Sequence, residues 1–194
     1  MPYDEYMNDL GIGDGAEDET EDETEDEEET TMGKLKRSAL LHYIDEKMGG
    51  TGSPSWYLIG KDVEDMSVEL NPQTETYRNI LDEQGATDNG YEPSMSVETY
   101  YADPSDGDFY TALKDIAMNR KTGDDCKTYV LEVLIDKTTG PFDAWKQECI
   151  VKPTSYGGAP GGVRIPYTVT FIGERTAGTV TMSDRVPTFT PASS

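Results

Sequence analysis

From residue 38 onward, apolar and polar residues alternate with a period of two in one short run after another. The runs are "SALLHYID" (38–45), "SWYLIG" (55–60), "MSVEL" (66–70), "TETYRNI" (74–80), "SMSVETYYA" (94–102), "KTYVLEVLID" (127–136), "AWKQECIVK" (144–152), "VRIPYTVTFIG" (163–173) and "GTVTMS" (178–183). A pleated strand sends successive side chains to opposite faces, so this period predicts strands. Between them stand "GGTGSP", "NPQ", "DNG", "TTGP" and "GGAPGG", which carry the residues that turns demand. The pattern predicts a mainly β fold, a sandwich or barrel of about eight strands. Pro166 cannot donate to a ladder, so its strand has an edge or bulge there or begins after it. An open edge is a liability unless something pairs with it, which is a first pointer to another copy of the chain. "KTYVLEVLID" is largely apolar on both faces and is expected to be buried on both.

One segment breaks the period. "DPSDGDFYTALKDIAMNRKTG" sets Phe109, Leu113 and Ile116 at i, i+4 and i+7, the spacing of one helical face. Asp106 and Asp108 precede it, Arg120 and Lys121 close it, and Gly123 lies just beyond, an arrangement that caps a helix and suits its dipole. A single flanking helix is predicted, covering the sandwich or plugging one end.

Charge divides the chain unevenly. Residues 1–31 hold 15 Asp or Glu and no Lys or Arg; without them the net charge is −8 instead of −23. A like-charged run repels itself and has no apolar area to offset the entropy of ordering, so an acidic, low-complexity, disordered arm is expected at 1–31. The globular domain is placed at 32–194, long enough for a single core. Tyr3, Tyr6, Met7, Leu10 and Ile12 leave a short linear motif open at the extreme N-terminus. No stretch is apolar and long enough to span a membrane, and no basic and apolar leader opens the chain, so a cytoplasmic protein is expected. Cys126 and Cys149 lack metal or redox spacing and read as small buried residues.

A search for chemistry yields little. Nucleophilic catalysis needs a base near neutral pKa, and the sole histidine, His42, sits in "ALLHYID" on the side of Leu40 and Ile44, where a core role is expected. Asp103, Asp106 and Asp108 lack calcium-loop spacing and read as helix caps. "YGGAPGGVR" has no following Lys-Ser/Thr and leads into a strand, so neither a P-loop nor a dinucleotide fingerprint can be built on it. No basic stripe exists to release counterions from a nucleic acid. No enzyme activity, metal or cofactor is expected.

The domain resembles the major tail tube proteins of long-tailed (siphovirus-like) bacteriophages. The resemblance rests on "MGKLKRSALLHYID" from Met32, the hairpin "DVEDMSVELNPQTETYRNILDE", the strand-to-helix segment "YYADPSDGDFYTALKDIAM", and "VKPTSYGGAPGGVRIPYTVTFIGERTAGTVT". It covers most of residues 32–183. It implies a β-sandwich with one helix that forms hexameric rings, stacked into a hollow tube through which DNA passes on ejection. The partners implied are the chain itself, a tape-measure protein, a tail terminator and distal tail proteins, with no membrane. The place implied is the virion tail, and the bacterial cytoplasm during assembly.

Such a function needs surfaces in place of an active site. A conduit should repel phosphate, and alternation sets Met66, Val68 and Leu70 against Ser67 and Glu69, and Met95 and Val97 against Ser96 and Glu98. Glu69, Glu75 and Glu98 are the candidates for a lumen lining, with an outer solvated face as the other placement. The loop around Gly49, Gly50, Thr51, Gly52 and Ser53 is a candidate for inter-subunit or ring-stacking contact, or an ordinary solvent loop. The resemblance does not extend to residues 1–31. Six such arms, each with a coil reach of about 30 Å, would crowd a channel, so they are placed outside the tube or at a ring boundary. The alternative is an acidic binding module whose N-terminal polyanion captures a basic partner or mimics nucleic acid.

Overall fold

The computed structural model describes residues 34–49 and 52–192, so the expectation of a disordered arm at 1–31 lies outside the described residues. The described chain is mainly β. Its strands are β1 (Leu40–Asp45), β2 (Trp56–Ile59), β3 (Val68–Glu69), β4 (Pro72–Arg78), β5 (Gln84–Tyr91), β6 (Ser94–Val97), β7 (Lys127–Leu134), β8 (Phe142–Pro153), β9 (Tyr167–Ser183) and β10 (Val186–Pro191). One helix, α1 (Gly107–Asn119), interrupts them. Eight strands form one antiparallel sheet in the order β2, β1, β7, β8, β9, β6, β3, with β10 also on β9; β4 and β5 make a separate two-stranded hairpin.

The sheet is curled into a half-barrel. In a flat sheet β1 and β10 would stand about 19 Å apart, four strand spacings. Yet the Tyr43 hydroxyl of β1 donates to the carbonyl of Arg185, in the turn between β9 and β10, at 3.1 Å. One face therefore closes on itself, burying Tyr43, Leu131, Val133, Ala144 and Val180 with Trp56, Phe142 and Phe189 packed against them. The other face carries the larger core: Ile44, Val130, Cys149, Val151 and Val169 meet the Phe109 and Leu113 face of α1. β7, between the two, has Val130, Leu131 and Val133 fully buried, as a strand apolar on both faces should.

β9 merges two of the expected strands. It spans 17 residues because one stretch pairs β6 through Tyr167–Thr170 and another pairs β10 through Gly178–Ser183, while β8 runs along its opposite edge. A bulge opposite Lys146 and Glu148 absorbs the change of register, and Gly173 nearby takes a φ of +65°. The strand begins directly after Pro166. Two strands escape the alternation rule. β5, "QGATDNGY", has no period and is held by β4, with the ring of Tyr77 lying over Gly85. β10, "VPTFTP", contains two prolines and is tolerated at an edge.

α1 ends where the charge pattern placed it. Arg120 adopts φ +51° and its N–H returns to the Ile116 carbonyl, a left-handed cap. The aspartates before it differ from expectation. Asp106 makes no side-chain cap to α1; it accepts from the Tyr100 hydroxyl at 3.1 Å and from Lys61 at 3.3 Å. Asp103 instead closes the short turn at 104–106 by accepting from the Ser105 N–H. Buried Tyr100 needs a partner for its hydroxyl, and that need takes Asp106 away from the helix.

Candidate functional site

The feature that stands apart from the core is the hairpin β4–β5. Its base is clamped by Asn71, which adopts φ +45° and donates its side-chain amide to the Glu92 carbonyl and to the Ser94 hydroxyl, both at 3.1 Å. Its tip is built by Asn79. The Asn79 side-chain oxygen accepts from the N–H groups of Leu81 and Glu83, and its amide donates to the Glu83 carboxylate at 2.7 Å. Asp82 takes the left-handed position at φ +64°. Side-chain mimicry of a backbone turn gives a rigid tip. That tip presents Ile80 and Leu81 to solvent at 102% and 72% exposure, the opposite of what their hydrophobicity favours.

The three lumen candidates do not share one element. Glu69 is exposed on β3 opposite Ser94, and Glu98 is exposed just after β6, on the face of that wing away from Met95 and Val97. Glu75 lies on the separate hairpin, paired with Thr87, and is brought to neither. Leu70, expected inward with Met66 and Val68, is 56% exposed because β3 ends at Glu69 and the chain turns out into the hairpin.

Of the candidate loop, Gly50 and Thr51 lie outside the described residues. Its base is drawn together by Asp45, whose carboxylate accepts from the N–H groups of Lys47 and Ser55. Gly49 adopts φ +66° and donates to the Lys127 carbonyl; an added Cβ would sit 3.1 Å from the backbone of Asp125. Gly52 is at φ +132°, and the Ser53 carbonyl accepts from Lys47.

A groove of about 650 Å³ opens where β1 and β2 meet the 60–66 segment and the β9–β10 turn. Leu40, Leu58, Val63 and Met66 line it, and Arg37, Lys61 and Arg185 supply its cations. Lys61 is neutralised by Asp103 and Asp106. Arg37 instead donates to the carbonyls of Leu40 and Met66. His42 forms part of the wall, buried to 2% exposure, with neither ring nitrogen in a hydrogen bond and Nε2 3.5 Å from a Glu132 oxygen.

Glu132 faces His42 across the β1–β7 ladder and is held on its other side by Arg175, whose guanidinium lies over the ring of Trp145. Burial pushes the Glu132 carboxyl up, but the His42 ring and the Arg175 charge more than reverse it, leaving it below the usual carboxylate range. No hydroxyl or thiol among the described residues hydrogen-bonds to His42, so the pair lacks the nucleophile a triad needs. Sequence reasoning missed this group. Glu132 sits in "VLEVL", where alternation alone cannot tell a buried acid from a solvated one.

Both cysteines are buried and unpaired, and burial pushes the Cys149 thiol up to about 12. Among the described residues, no group of three or more His, Cys, Asp or Glu is placed to hold a metal, and no helix is long and apolar enough to cross a membrane. No protein-family model matches the chain. No curated protein is found similar to it.

Proposed function

We propose that the chain is a structural subunit that assembles with copies of itself, and that the assembly is the tail tube of a long-tailed bacteriophage. In this reading hexameric rings stack into a hollow tube that conducts DNA, alongside a tape-measure protein, tail terminator and distal tail proteins. The observation that carries self-assembly is the β4–β5 hairpin, whose rigid tip holds Ile80 and Leu81 in water. Removing such side chains from water stabilises by about 1.5–3 kcal/mol each. A pre-ordered tip loses little entropy on docking. The outer edge of β2, "WYLI", is unpaired among the described residues and offers a second surface suited to strand pairing. The tube itself rests on the resemblance over most of residues 32–183.

Full-length protein at rising concentration, viewed by negative-stain microscopy, is expected to form hollow striated tubes or rings. Strictly monomeric protein at every concentration, with tail partners added, overturns this function. The 15 carboxylates of residues 1–31 favour a second reading, capture of a basic partner by the polyanion. Deleting residues 1–31 separates the two: assembly survives the deletion if the chain is a tube subunit, whereas capture is lost with the arm.

A further inference from the structure

We infer that the hairpin tip of one subunit docks in the groove between β1, β2 and the β9–β10 turn of a second copy; this rests on the self-assembly proposed above. The tip offers two aliphatic side chains, Ile80 and Leu81, followed directly by the carboxylates of Asp82 and Glu83. The groove offers the matching pair of properties. Its floor is aliphatic, through Leu40, Leu58, Val63 and Met66, and its volume of about 650 Å³ exceeds what two such side chains fill.

Its rim carries Arg185 and Arg37, neither of which pairs with a carboxylate among the described residues, against a single lining acid, Glu64. On the tip, Glu83 is bound only by the neutral Asn79 amide, and Asp82 meets Arg78 at 3.4 Å in an exposed pair, so both acids remain open to a stronger partner.

A second groove, of about 800 Å³, suits this tip less well. It is lined by Trp56, Val186, Pro187 and Phe189, and its one cation, Lys146, lies over the Tyr129 ring. Tip and groove are different patches of one chain, so the contact is heterologous. Each docked subunit keeps one free tip or one free groove, and addition continues until a ring closes or a filament grows.

Covalent trapping in the full chain tests the assignment. Leu81→Cys with Val63→Cys is expected to yield a ladder of disulfide-linked oligomers on oxidation with diamide, and either single variant none. Trapping of Leu81→Cys by Thr188→Cys, in the second groove, in place of Val63→Cys overturns the choice of groove. Charge reversal gives a second measure. Arg185→Glu is expected to raise the concentration needed for assembly about tenfold, and adding Asp82→Arg and Glu83→Arg to the same chain to restore it; assembly unmoved by either change overturns the inference. Tubes that form from wild-type chain while trapping fails at Val63 remove this contact and leave the proposed function standing. Wild-type chain that never assembles removes both.

Discussion

Glu132 shows how much one side chain depends on distant sequence. Its partners come from residue 42 on one side and residue 175 on the other, brought in by the registers of β1, β7, β8 and β9. Replacing it by Gln leaves His42 buried without its acid and Arg175 without its anion. The expected loss at neutral pH is about 1–3 kcal/mol, at the lower end because Arg175 is partly solvated. The sign with pH follows from the lowered carboxyl. Its stabilisation is present above the unfolded value of about 4.3 and is lost as pH falls through the folded value. Urea midpoints of wild type and Glu132→Gln should therefore converge in acid, and a gap that stays constant down to about pH 3 contradicts the ion pair. Leu113 is the opposite case, legible from helical spacing alone and fully buried in the structure. Leu113→Ala should cost about 2–5 kcal/mol in urea unfolding.

Strands differ in how far their own residues announce them. β6 follows the alternation closely, β1 and β7 lie where their apolar runs put them, and α1 lies where its apolar spacing and terminal charges put it. β5 and β10 do not, because each is stabilised mainly by the strand it pairs with. Gly178 marks the closeness of that second pairing. A Cβ there would overlap the Thr190 carbonyl and lie 2.7 Å from the Phe189 ring, so the strand must shift or separate. Gly178→Ala is expected to cost about 1–3 kcal/mol. It should also loosen β10, giving faster tryptic cutting at Arg185 than in wild type. Equal cutting rates would mean that β10 does not depend on this contact. The β4–β5 hairpin belongs to the same group: "TETYRNI" announces one strand, while its partner and the Asn79 turn emerge only from the pairing.

Across the molecule, the main core is cemented by aromatic rings with polar tips. Tyr57 stacks on Phe109 with ring centroids 4.3 Å apart, and Tyr100 and Tyr167 meet Phe109 edge-on. Burial raises all three hydroxyls above the ordinary tyrosine value, and the Asp106 charge adds to the rise at Tyr57 and Tyr100. The unfolded chain releases these protons near pH 10 or so, whereas the folded chain retains them. Their contribution is complete below the unfolded value and is lost as pH rises toward the folded one, with Cys149 adding to the loss from about pH 8.5. Urea midpoints should fall steadily above about pH 9, and a flat profile to pH 11 or so would mean that the cluster opens to water. Tyr57→Phe should flatten the profile in part.

Period and turn chemistry are local properties, so residue order alone carried the β class, the single helix, the interruption of a strand at Pro166, the double-sided burial of β7 and the charge boundary near residue 32. Curl, pairing partners and the state of a buried charge are not local. They depend on which strands meet and in what register, and that is decided when distant apolar faces close on one another. The tertiary structure therefore decided the closure of β1 on the β9–β10 turn, the Glu132 ion pair, and the separation of Glu75 from Glu69 and Glu98. It also decided that Ile80, the last residue of a predicted strand run, and Leu81 stand exposed to solvent at the tip of a hairpin.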